Sequence, residues 1–170
     1  MGLMDILNQY AGLAPGAVGP QVREHFGQVA QAAPRDDLAQ GLAHAFRADE
    51  TPPFGDMVQR LFRESDGEQK AGLMNELGRA LRPGAVAALG TSPLAMLLRR
   101  AHAGYPVSPN EAAAVRPDAI GGVAHQAANR DPGVIERISR FYAQHPGLVH
   151  TLGNAALTIA LTRMAQRRAA

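Results

Sequence analysis

The chain has 170 residues, 46% of them hydrophobic and only 5% aromatic, with no tryptophan, no cysteine and a formal net charge of +2. That length fits one domain or two small ones, with a core mainly of Leu, Ala, Val, Ile and Met, which suits packed helices better than a β-sandwich. The lack of cysteine excludes disulfides and thiolate metal sites, and no stretch approaches the ~18–20 uninterrupted apolar residues of a membrane span.

Prolines punctuate the chain. Pro20, Pro34, Pro52, Pro83, Pro93, Pro109, Pro117, Pro132 and Pro146 stand where helices would start. Proline suits a first helical turn because its missing N–H has no partner there and its φ is already near helical. Gly2–Ala11 reads as a short amphipathic helix with Ile6, Leu7 and Tyr10 inward, followed by a Gly/Ala/Pro-rich loop over 12–19. Pro20–Ala33 places Val22, Phe26, Val29 and Ala33 on one face, and Pro34–Arg47 does the same with Leu38, Leu42, Ala45 and Phe46. Pro52–Glu64 carries Phe54, Met57, Val58, Leu61 and Phe62 at helical spacing. Ser65 and Glu68 have the spacing of a capping box, which would open a helix to Leu81.

Short helices are expected over 83–89 and 92–103, then a break at Gly104-Tyr105-Pro106. That break would divide an N-terminal helical part, 1–104, from a C-terminal part, 105–170, unless the two form one continuous domain. Ser108 and Glu111 make a second capping box, with Pro109 at the first helical position. Pro117 opens the next helix, with Ile120, Val123, Ala124 and Ala127 inward. Asp131-Pro132 starts another, with Val134, Ile135, Ile138, Phe141 and Tyr142. Pro146 is read as opening the last helix. Counted from Leu148, that helix is apolar over roughly 240° of its circumference, which predicts burial in the middle of a bundle over insertion into a membrane. The expected fold is therefore all-α. It is a compact orthogonal bundle of about ten short helices, with the C-terminal helix buried at the centre and no sheet.

Charge is uneven. Residues 1–76 hold eleven acids and six bases, whereas residues 137–170 hold no acid and five arginines. Arg137, Arg140, Arg163, Arg167 and Arg168 would form a patch for an anionic partner if the last two helices pack antiparallel. The alternative is that these arginines dock on the acidic N-terminal half or decorate helix C-termini.

Chemistry-bearing patterns are sparse. No P-loop, dinucleotide fingerprint, nucleophile elbow or H-E-x-x-H occurs, and no two of the six histidines are spaced i, i+4. Asp36 and Asp37 suit the positive end of a helix, and Asp49-Glu50 reads as a solvated loop. No catalytic residue, cofactor or metal ligand is assigned.

The opening Gly2-Leu3-Met4-Asp5-Ile6-Leu7, followed by helices of the Leu38-to-Phe46 and Pro53-Phe54-Gly55-to-Phe62 type, resembles the YidB-like group of bacterial proteins. That group begins with a similar Gly-Leu-hydrophobic-Asp segment. The resemblance covers at most the first half of the chain and implies a helical, homeodomain-like packing without supplying site residues. Asp131-Pro132-Gly133 and the segment from Phe141 to Pro146 have no counterpart in it.

The expected function is non-enzymatic binding, with another protein as partner. The alternatives are a peripheral membrane or lipid-binding protein using apolar terminal helices, and a nucleic-acid binder using the C-terminal arginines. Met1–Gly12 has neither a basic residue nor the apolar run of a signal segment, so the expected location is the cytoplasm.

Overall fold

A computed structural model of the chain describes residues 2–11 and 21–169, leaving the side chains of 168 and 169 outside the description. Pro20, the loop over 12–19 and the Arg168 side chain thus lie outside the described residues. Helix accounts for 76% of what is described, and none of it is in a strand. The helices in chain order are α1 (Leu3–Tyr10), α2 (Val22–Ala32), α3 (Arg35–Arg47), α4 (Phe54–Glu64), α5 (Gly67–Ala80), α6 (Pro83–Ala87), α7 (Pro93–His102), α8 (Pro109–Ala113), α9 (Pro117–Arg130), α10 (Gly133–Ala143), α11 (Pro146–Val149) and α12 (Asn154–Ala169).

The starts follow the proline rule closely. Pro83, Pro93, Pro109, Pro117 and Pro146 occupy the first turns of their helices, and Pro34 is the N-cap of α3. The Ser108–Glu111 box forms: the Glu111 N–H donates to Ser108 Oγ at 3.2 Å, and the Ser108 N–H to Glu111 Oε1 at 3.1 Å. The box expected at Ser65 and Glu68 forms one residue later. There the Gln69 N–H donates to Asp66 Oδ1 at 2.8 Å, and the Asp66 N–H donates to Gln69 Oε1 at 3.0 Å. Aspartate caps as well as serine, and Gln serves as well as Glu at the third position, so both registers satisfy the pattern. Ser65 instead closes α4, its hydroxyl donating to Leu61 O at 2.7 Å.

The last helix also differs from expectation. Pro146 opens only the single turn of α11, which continues in i→i+3 bonds from Thr151 N to Leu148 O and from Leu152 N to Val149 O, both 3.0 Å. The Thr151 hydroxyl donates to Leu148 O at 2.7 Å. This tighter winding runs out at Gly153, and the helix restarts at Asn154.

The chain divides into two compact units, Met1–Pro53 with Ser139–Ala170, and Phe54–Ile138. Gly104-Tyr105-Pro106 lies inside the second unit as a turn, because α7 before it and α8 after it both pack on α5.

In the first unit α12 packs against α3, α1 and α2. Leu157, Ala160, Leu161 and Met164 are fully buried. Gly41 marks the α3 crossing, where an added Cβ would stand 2.8 Å from Ala160 O. The polar strip of α12 is drawn inward as well: Thr158 is buried and returns its hydroxyl to Asn154 O at 2.8 Å. Arg35 Nη1 donates to Ala30 O and to Ala143 O, both at 3.1 Å, tying the ends of α2 and α10 to the start of α3.

In the second unit α4 pairs with α9, α5 with α7 and α8, and α6 with α7. The α4–α9 crossing is made by two facing glycines. A Cβ on Gly55 would meet Gly121 O at 2.5 Å, and one on Gly121 would meet Gly55 O at 2.7 Å. Backbones this close leave no room for a methyl group.

Candidate functional site

Four of the five arginines of the expected anionic patch, Arg137, Arg140, Arg163 and Arg167, have described side chains. Arg137 and Arg140 are exposed on α10, and Arg163 is exposed on α12. The helices packed most extensively on α12 are α3, α1 and α2. Arg167 turns back on the acidic N-terminal segment, with its Nη2 3.6 Å from Asp37 Oδ1 at the start of α3. For this residue the docking alternative applies. The carboxylate sits in the first turn of α3, where the helix dipole also favours it.

His44 and Glu50, from α3 and the turn after it, line one cleft of about 170 Å³ with Ala48 and with Ile159, Thr162, Arg163 and Gln166 of α12. The Thr162 hydroxyl is buried there without a hydrogen-bond partner among the described residues. Thr51 is fixed behind this turn, its hydroxyl 2.7 Å from Ala45 O. The histidine and carboxylate are both exposed, so water reaches them freely.

Other histidines have structural partners. His25 Nδ1 lies 2.7 Å from the Tyr10 hydroxyl, and His102 Nδ1 lies 3.1 Å from Gly78 O. His150 packs edge-on against Phe26, and His145 packs at a tilt against Phe141. Among the described residues no group of three His, Asp or Glu side chains is placed to hold a metal ion.

Sequence reasoning missed the apolar surface on α6 and α7. Leu94, Ala95, Leu98 and Ala101 form the buried stripe of α7, and Met96 falls off it, 60% exposed. Tyr105, in the turn that follows, is 65% exposed. Beside α7, α6 buries none of its residues, and Ala87 and Ala88 are exposed. The signal for Met96 was present in the period of α7, which leaves an unbranched apolar side chain on the outer face. At the far end of the helix, Arg100 Nη1 donates to Glu111 Oε2 at 2.6 Å. That bond first, and the Ser108 N–H second, hold the Glu111 carboxyl below its usual range.

No family model, no curated protein and no solved structure matches the chain.

Proposed function

We propose that this is a non-enzymatic helical binding protein whose partner is another protein, met through α7 and the turn after it. One observation carries the reading. Among the described residues, three large apolar side chains are well exposed, Met4, Met96 and Tyr105, and two of them sit on α7 or within three residues of its end. Methionine, tyrosine and arginine are the residue types enriched at protein interfaces, and Arg99 and Arg100 end the same helix. Next to them α6 offers further uncovered apolar surface.

The apolar arc of α12 is used inside its own unit, which weighs against a membrane role for that helix. Among the described residues no helix is long and apolar enough to cross a membrane. The pairing of Arg167 with Asp37 removes one cation from any nucleic-acid surface. We read the His44–Glu50 cleft as solvated surface, since both side chains are exposed. A cytoplasmic setting and a place beside the YidB-like proteins belong to the same proposal, and fractionation of the source cell checks the first.

Affinity capture with the wild-type chain and with a Met96→Glu/Tyr105→Glu variant tests the contact surface. Both positions are exposed, so the variant should melt within a few degrees of wild type. Proteins held by wild type and lost from the variant support the proposal. An identical set of captured proteins rejects it.

A further inference from the structure

Within the 54–138 unit, the end of α5 and the start of α6 face the junction of α9 and α10 across a cavity of about 270 Å³. Its floor is apolar and buried, made by Ala80, Leu81, Ala127 and Val134. Its rim is charged, with Arg82, Arg130 and Asp131. Arg82 Nε lies 3.2 Å from Asp131 Oδ2, and its side chain is 76% exposed. The other Asp131 oxygen accepts from the Gly133 N–H at 3.0 Å. Two arginines and one aspartate thus line the rim, and both oxygens of that carboxylate are already engaged. The outer wall is α6 itself, through Gly84 and Ala85, and a Cβ built on Gly84 meets no atom within 4 Å.

We propose that this cavity binds a single-chain amphiphilic anion, a medium-length acyl chain ending in a carboxylate. The chain lies on Leu81, Ala127 and Val134, and the carboxylate meets Arg130 and Arg82 at the rim. Apolar walls with a few converging polar groups are the usual make-up of a small-molecule site. The floor rewards removal of a hydrocarbon tail from water in proportion to the area covered. At about 270 Å³ the cavity falls just below the usual range of ligand pockets, about 300–1,000 Å³, which favours a medium-length chain over a long one. The excess of arginine over aspartate at the rim selects an anion, and an alkylammonium headgroup there would meet like charge. This site shares α6 with the surface proposed above but uses neither Met96 nor Tyr105, and it stands or falls without that protein partner.

The test titrates the full-length protein with octanoate, octanol and octylamine at low ionic strength by calorimetry. Octanoate is expected to bind saturably with one site, and octanol and octylamine about tenfold or more weakly. Arg130→Ala should weaken octanoate by about tenfold and leave octanol unchanged. Ala85→Phe should remove binding of both by filling the cavity from its outer wall. Should Ala85→Phe melt early, Gly84→Leu fills from the same wall at a position with open space around it. Octanol binding as tightly as octanoate overturns the proposal. So does octanoate binding that survives both Arg130→Ala and the filling variant. Anionic phosphatidylglycerol vesicles form a further arm: vesicle binding without octanoate binding would mean surface charge attraction and would also overturn it.

Discussion

Tyr142 is fully buried, yet its hydroxyl has no hydrogen-bond partner among the described residues. An unsatisfied buried hydroxyl costs about 1–3 kcal/mol, whereas removing it from a well-packed ring costs little. Tyr142→Phe is therefore expected to stabilise the protein by about 1 kcal/mol at neutral pH, seen as a higher urea midpoint with an unchanged slope. A lower midpoint would show that the hydroxyl is satisfied after all. Burial also pushes this phenol above its ordinary value. Above pH ~10 the unfolded chain gives up this proton while the folded chain keeps it, so stability falls as pH rises from there. Tyr142→Phe should flatten that fall between pH 9 and 11.5 without abolishing it. Burial also raises Tyr10, whose proton is held back in the same way. Phe26, Leu61 and Tyr142 itself could be placed inward from sequence because each lies on a periodic apolar face. That the Tyr142 hydroxyl would be stranded could not be read, because hydrogen-bond partners come from segments remote in the chain.

At the scale of elements, α12 shows how far periodicity reaches. Its apolar arc predicted burial, and Leu157, Ala160, Leu161 and Met164 are inaccessible to solvent. Leu161→Ala should cost ~2–5 kcal/mol, the usual effect of a large-to-small change in a packed interior. The exposed Arg163→Ala should shift stability by no more than about 0.5 kcal/mol. Chemical denaturation of the two variants side by side checks this, and equal midpoints would mean that α12 is not part of the core. Helix starts were readable because Pro and the cap residues act on local backbone groups. The exchange of Ser65/Glu68 for Asp66/Gln69 shows the limit: two overlapping registers were chemically equivalent, and only packing chose. The break at Gly153 was hidden for a similar reason, since apolar residues on both sides keep the same helical phase. On the candidate site, sequence could count the arginines but could not show that Arg167 is paired with Asp37, a carboxylate 130 positions earlier.

At the scale of the molecule, the second unit is one unbroken stretch, Phe54–Ile138, while the first is assembled from two stretches that flank it. Composition and local period carry no label for which helix meets which; the sequence offers the Gly104-Tyr105-Pro106 turn as a boundary, and that turn falls within the Phe54–Ile138 unit. The α4–α9 pairing through Gly55 and Gly121 and the packing of α7 and α8 on α5 lie wholly within 54–138. A fragment of residues 54–138 is therefore expected to be helical by far-UV circular dichroism and to melt cooperatively by itself. Residues 1–53 alone, lacking α12, should show no cooperative transition. A fragment 54–138 that is a random coil at 10 °C would contradict this division.

The interrupted first unit bears on how the chain is made. The faces of α3 that carry Leu38, Leu42 and Phe46 leave the ribosome more than a hundred residues before α12, which packs on that helix. At typical elongation rates of about 5–20 residues per second, that is a delay of about 5–20 s. During it the nascent chain can complete the inserted unit while the apolar faces of α1, α2 and α3 wait for α12. Translation speed and holdase chaperones therefore bear on the yield of the first unit far more than on that of the second.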